Sequence, residues 1–385
     1  MDLAITSIGV ISPYGFGFNN FLNFEQKDSI KKEEDKKFNK YTLPISSFNP
    51  RLFTRNFKQL RSFSKSTHYA VAASKLTNET LLIADTYDSN NIGVIIGTSY
   101  LTDEKDINAL LNAYSRSFDK TGSIDWQKFG NAGIKEIHPK WLLSQIANTA
   151  TFAISYEIES HGYSNAIVTG GNSLFDALFE TFIVLGNGNA ECVFLGGSDC
   201  PLNLCDKLSL YQEKKSENFF VSEGSAVFCI ENIDNAKARN AHISGIIKSV
   251  SSYILNEEKD LYNSLNTALK EARFSKAEID LILLSDWRKE TDIMNTVKII
   301  KDYFENHSKN INLLSSMNLF GYTRAAAGAF EVALGLKIFD ENKTIHFLDD
   351  LLNNNYSTKK EIRNILINYT GPSNCNYSVI LQNRN

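Results

Sequence analysis

Short, nearly continuous apolar runs alternate along most of the chain with longer amphipathic ones. LAITSIGVI, NIGVIIGTS, AIVTG, CVFLGGSD, GSAVFCIEN, HISGIIKSV, LILLSD and the final YSVILQ have the length and β-branched content of strands. Between them, FSKSTHYAVAASKLTNETLL, NSLFDALFETFIVLGNG, LYNSLNTALKEARF, TDIMNTVKIIKDYFENH and AAAGAFEVALGLKIF carry helical periodicity. Strands alternating with helices predict an α/β fold whose sheets are covered on both faces. NIGVIIG and ECVFLGG are apolar at nearly every position, as strands buried on both sides are. A fresh strand pattern, HISGIIKSV, opens after GSAVFCIENIDNAKARN and places a division near residue 240. Residues 1–240 then make one unit, with a helical insertion at about 101–145, and residues 241–385 make the other.

Composition narrows the function classes. The chain has 385 residues, 43% hydrophobic and 22% charged, the balance of an ordinary globular protein with room for a large core. Lys plus Arg number 40 against 44 Asp plus Glu, giving −4. With a pI near 5.9, that argues against a nucleic-acid partner. KDSIKKEEDKKFNK mixes both signs and reads as a solvated loop. The opening MDLAITSIGVISPYG is not the pattern of a signal peptide, and no apolar run reaches the roughly 20 residues that span a bilayer. Five cysteines without a regular framework fit reduced thiols in a cytoplasmic protein. Cys200 and Cys205 alone make a poor metal signature, so no metal and no cofactor is expected.

One stretch carries the question of function: AIVTGGNSLFDALFETF, residues 166–182. A strand turns sharply into a helix, the arrangement on which many α/β enzymes hold a nucleophile at a helix N-terminus. The tip here is Gly170-Gly171-Asn172, with nothing reactive on it.

Seven segments, in order, resemble the β-ketoacyl synthases, the condensing enzymes of the thiolase fold. They are ITSIGVISPYGFG, FSKSTHYAVAASKL, VIIGTS, LLSQIANTATFAISYEIESHG, AIVTGG with AECVFLGGSD, FFVSEGSAVFCIE and GYTRAAAGAFEVALG. The resemblance implies two similar α/β halves in a five-layer αβαβα arrangement. It also implies a cysteine nucleophile and two histidines that support decarboxylation and the enolate. This chain departs at each of those positions. Where the family reads T-A-C-x-S it has Thr169-Gly170-Gly171-Asn172-Ser173, so the cysteine position is Gly171. ILLSDWRKETDIM puts Leu284 or Ser285 at the first histidine, and Gly321-Tyr322 replaces the G-H pair of the second. The lysine before that pair becomes Met317, and the family's glycine-rich gating turn is reduced to TGPSNCN, around Gly371 to Asn376.

The resemblance therefore implies a chain that does not condense by itself. Relatives of that kind are chain-length factors, which pair with an active ketosynthase as a heterodimer and shape the tunnel for its growing chain. Glycine at the cysteine position, where aromatic-polyketide chain-length factors usually carry glutamine, points to the aryl polyene or flexirubin-type pigment systems. The partner is then a ketosynthase, with acyl carrier protein reached through it. Phe175, Phe179 and Phe182 recur at helical spacing and are core or tunnel wall; Ser173, Met317 and Phe320 are further tunnel or structural candidates. The strand AECVFLGG and the insertion around 104–145 are expected at the dimer seam. Glu331 and Asp199 are expected to close a buried polar network and to end a strand. The six histidines fall away from the catalytic positions. Two alternatives remain: an acyltransferase or hydrolase using Ser173, and a stand-alone protein that binds an acyl carrier or polyene.

Overall fold

The computed structural model describes residues 1–22, 32–81, 86–99, 103–213, 219–288, 290–304, 312–341 and 361–384. Two sets of five strands follow the same plan. The first comprises β1 (Leu3–Ser12), β2 (Ile92–Gly97), β3 (Ser164–Ile167), β4 (Cys192–Asp199) and β5 (Gly224–Asn232). The second comprises β6 (Gly245–Ile254), β7 (Leu281–Asp286), β8 (Asn312–Leu314), β9 (Asn364–Thr370) and β10 (Cys375–Gln382). Their orders across the sheet are β3-β2-β4-β5-β1 and β8-β7-β9-β10-β6. In each set the first three strands run parallel and the last two join antiparallel. Leu3–Ile5 pairs with Gly245–Ile247 and joins the two sets.

The helices repeat as well. α1 (Lys65–Leu81), α3 (Thr149–Ile158) and α4 (Ser173–Gly186) connect strands of the first half, with α2 (Glu104–Ser115) in the insertion before α3. α5 (Leu204–Glu213) follows β4, and α6 (Glu258–Ala272), α7 (Glu290–Tyr303) and α8 (Ala327–Asp340) serve the second half. The period of two along each strand decides which helices meet which face. Val94, Ile96 and Phe194 pack outward under α1 and α3, whereas Ile95, Val193 and Leu195 point to a central cluster with α4 and α8. In the second half Ile282, Leu284, Leu366 and Ile380 pack outward under α6 and α7. Leu281, Leu283, Ile365, Ile367 and Val379 turn to the same central cluster. The layers are thus helix, sheet, helix, sheet, helix: the thiolase-like fold. α8 is buried on every side from Gly328 to Phe339, as a helix with apolar residues on all faces must be, and it takes Glu331 and Lys337 inside with it.

Three sequence expectations change. β4 is buried at every position between β2 and β5, so it cannot form a dimer seam; the edge of the first half is β3. Part of the mixed-charge run is no loop: Glu33–Asp35 and Lys40–Leu43 form a hairpin that continues in parallel through Phe220–Ser222. Residues 27–31 of that run lie outside the described residues. The strand reading also passed over β8 and β9, of which β9 proves central to the site. Among the described residues no helix is long and apolar enough to cross a membrane.

Candidate functional site

The turn before α4 opens with Gly170 at φ +63°, a left-handed conformation that costs glycine little. Gly170–Asn172 then make one 3₁₀ turn that feeds α4. Ser173 fastens this turn. Its Oγ accepts the Thr169 N–H at 2.9 Å and donates to the Thr98 carbonyl at 2.9 Å, and the side chain is wholly buried. Among the described residues no base is bonded to it, so none of them activates it as a nucleophile.

Gly171 is buried and faces two tyrosines. A Cβ built there would fall on the Tyr369 hydroxyl oxygen and 2.8 Å from that of Tyr322. Tyr322 is held through its backbone, donating to the Phe220 carbonyl at 2.9 Å and accepting from Ser222 N–H at 3.0 Å. Its ring stacks on Trp287 with centroids 3.7 Å apart. Trp287 is fixed in turn by its N–H to the Thr370 carbonyl at 2.8 Å, and Phe219 packs on it edge-on at 5.1 Å. Tyr369 reaches in from β9, its ring 5.0 Å from Phe175. Burial first, then the neighbouring Tyr322 and Glu331, hold its hydroxyl well above the usual tyrosine range. Tyr369 therefore stays neutral.

Of the two residues considered for the first-histidine position, Leu284 and Ser285, only the second faces this site. Leu284 points outward into the cluster under α6 and α7, and Ser285 points inward, as alternation along β7 requires. Ser285 Oγ lies 2.8 Å from Ser316 Oγ, and both hydroxyls bond Glu331 Oε1. Glu331 thus closes a buried polar network, and the half-buried Met317 lines the same cavity. Burial raises the Glu331 carboxyl to about 7, while the two serine hydrogen bonds pull it the other way. The cavity between Ser285, Trp287, Met317, Tyr322, Glu331 and Tyr369 measures about 10 Å³. That is room for roughly one water molecule.

Beyond the turn, Asn172 meets the hairpin joining β9 to β10: a Cβ at Gly371 would fall on Asn172 Oδ1. The second half carries a charge clamp that sequence reasoning missed. Asp199 does end β4, and Arg324 Nε and Nη2 reach its two oxygens at 2.8 and 2.9 Å. Arg324 Nη1 also reaches Asp206 at 2.7 Å.

The other candidates divide between core and surface. Phe175 is fully buried, stacked on Tyr377 at 5.1 Å, and is core rather than channel wall. Phe320 is likewise packed, between Phe21 and Phe330 at 5.4 and 5.3 Å. Phe179 and Phe182 are partly buried against the central cluster. His68, His138, His161 and His242 sit away from the turn, each bonded locally; His307 and His346 lie outside the described residues. Cys192 and Cys229 are buried, Cys205 is exposed, and the Cys200 thiol lies against the buried Glu223 carboxylate at 2.7 Å. Among the described residues no three His, Cys, Asp or Glu side chains converge as a metal site.

The family model described as "Beta-ketoacyl synthase, N-terminal domain" matches residues 18–215. The chain belongs to the beta-ketoacyl synthase family. A 3-oxoacyl-[acyl-carrier-protein] synthase 2 of Staphylococcus aureus (strain COL) is 22% identical over 319 residues, covering 75% of this chain and 73% of that protein. Among solved structures, the ishigamide ketosynthase/chain length factor superposes with a TM-score of 0.79 at 15% identity, covering 100% of this chain and 99% of that one. AntDE:AntF, a type II PKS acyl-carrier protein in complex with its ketosynthase bound to the hexaketide, gives 0.74 at 16% identity with 99% of each chain covered. Tyr369 and Tyr322 converge on Gly171, in the turn that feeds α4.

Proposed function

We propose that this chain is a non-condensing, chain-length-factor-like subunit that pairs with an active ketosynthase and helps bound the channel for its growing acyl chain. The observation that carries the reading is Gly171: no thiol stands at the head of α4, and two tyrosine hydroxyls occupy the space a side chain would take. Ser285 and Tyr322 stand at the histidine positions and are committed to a serine–glutamate network and an aromatic stack. Neither supplies a base of imidazole strength. The fold likeness to a ketosynthase/chain length factor supports the same context. An aryl polyene or flexirubin-type product is the pathway class that glycine at this position suggests. A Ser173-based acyltransferase is disfavoured by that residue's complete burial and its two backbone hydrogen bonds.

The surface supports pairing. β3 hydrogen-bonds to β2 alone among the described strands, so its other side is an open edge. α3 packs on that edge strand and exposes Phe152 and Tyr156, whose rings stack at 6.5 Å. The insertion exposes Leu111, Tyr114, Phe118, Trp126, Ile134 and Leu142, with Trp126 70% exposed. An open strand edge flanked by exposed aromatic rings, like the exposed apolar groups of the insertion, is a liability unless a partner covers it. Co-expression with a ketosynthase of the same genome that carries an intact Cys-His-His set tests the reading. A one-to-one complex by mass photometry is expected; a stable monomer that ignores every such ketosynthase would contradict it.

A further inference from the structure

Gly171 has no conformational need to be glycine, because its φ is not positive; the left-handed residue of the turn is Gly170. What excludes a side chain at 171 is space. Tyr369 comes from the other half of the molecule, and its hydroxyl ends where the Cβ of residue 171 would begin. The ring has nowhere else to go. Tyr369 pairs across the sheet with Ser285 on one side and Tyr377 on the other, and Phe175 closes over it at 5.0 Å. The Tyr322 hydroxyl lies 2.8 Å from the same point, its ring clamped by Trp287.

We propose that Tyr369 is an internal plug seated in the place of the nucleophile side chain, and that glycine at 171 is the condition for seating it. The site is then filled rather than vacant. A thiol restored at 171 has no room while Tyr369 stands, and the cavity of about 10 Å³ beyond it houses no acyl group. Any apolar chain shared with a partner runs outside this interior. That functional half rests on the non-condensing reading above; the interlock itself rests on geometry.

Thermal melts of the full chain, with its partner subunit where it needs one, test the interlock. Four proteins are compared: wild type, Gly171→Ala, Tyr322→Phe/Tyr369→Phe, and the alanine in that double-phenylalanine background. Gly171→Ala is expected to lower the melting temperature by roughly 3 °C or more, because an overpacked core cannot absorb a methyl group. Removing both hydroxyls is expected to cut that penalty to less than half. An equal penalty in both backgrounds, or Gly171→Ala melting like wild type, overturns the interlock. If Gly171→Ala yields no folded protein, its recovery in the double-phenylalanine background supports the plug, and failure in both backgrounds overturns it. The assay contains no acyl substrate, so a failed interlock leaves the subunit reading standing, and an acyl adduct on wild type would sink that reading while leaving the melts unchanged.

Discussion

The two halves of this molecule build the same turn twice and use it differently. Thr169-Gly170-Gly171-Asn172 leads into α4, and Thr323-Arg324-Ala325-Ala326 leads into α8. Each opens on a threonine of similar backbone, φ −122° and ψ 24° against φ −108° and ψ 14°. Each follows with a left-handed residue, Gly170 at φ +63° and Arg324 at φ +48°, then one 3₁₀ turn and a helix of 14 residues. In the first turn the left-handed residue has open space around it and the next one admits a plug. In the second, a non-glycine residue holds the strained conformation, and its guanidinium is locked to Asp199 and Asp206. The backbone device is therefore separable from the side chains placed on it: one copy carries glycine and is met by Tyr369 from the other half, the other is a clamp between the halves.

Breaking the clamp should have the largest effect. Arg324→Ala leaves the buried Asp199 carboxylate without its cation, and loss of one partner of a buried pair costs about 3–5 kcal/mol. Chemical denaturation should show a fall of that order. Arg324→Lys should recover only part of it, since an ammonium cannot span both carboxylates as the planar fork does.

The polar network behind the first turn should give the next effect, through pH. Glu331 has a folded-state pKa of about 7 against an ordinary 4.5, so the folded chain keeps a proton the unfolded chain has lost. Stability is fully present below the ordinary value, falls as pH rises towards 7 and is flat above it. The slope is about 1.4 kcal/mol per pH unit across that window. Glu331→Gln should abolish this slope in denaturation curves taken between pH 5 and 7.5; an unchanged slope would place the titration elsewhere.

Gly170→Ala should matter least. A Cβ there meets no atom within 4 Å, so only backbone strain remains, about 1 kcal/mol. A loss as large as that of Arg324→Ala would show that the first turn is also clamped.

Much of the fold was legible because central strands such as β1, β2, β4 and β7 are buried at every position. Apolar runs such as NIGVIIG and the mostly apolar AFEVALGLKIF report that burial directly. β8, with three residues, is too short for a period to declare itself. The empty turn, Ser173, Tyr322 and Met317 could be placed by chain order. Tyr369 could not, since its contact with Gly171 joins two halves that sequence spacing does not connect. A signal was nonetheless present in NILINYT. Ile365, Ile367 and Tyr369 alternate onto one face, so the inward row that begins in the central core ends in a polar ring beside Ser285. Arg324 was hidden for the converse reason: a charged residue between Thr323 and a run of alanines looks like surface until Asp199 and Asp206 are seen beside it.

The most direct measurement of the central claim is the intact mass of the chain, alone and in its one-to-one complex, after incubation with acyl-carrier thioesters. Every acyl adduct is expected to fall on the ketosynthase subunit and none on this chain, with the result unchanged in Gly171→Cys. A covalent acyl group on this chain, or an adduct on the restored cysteine while Tyr369 is intact, would contradict it.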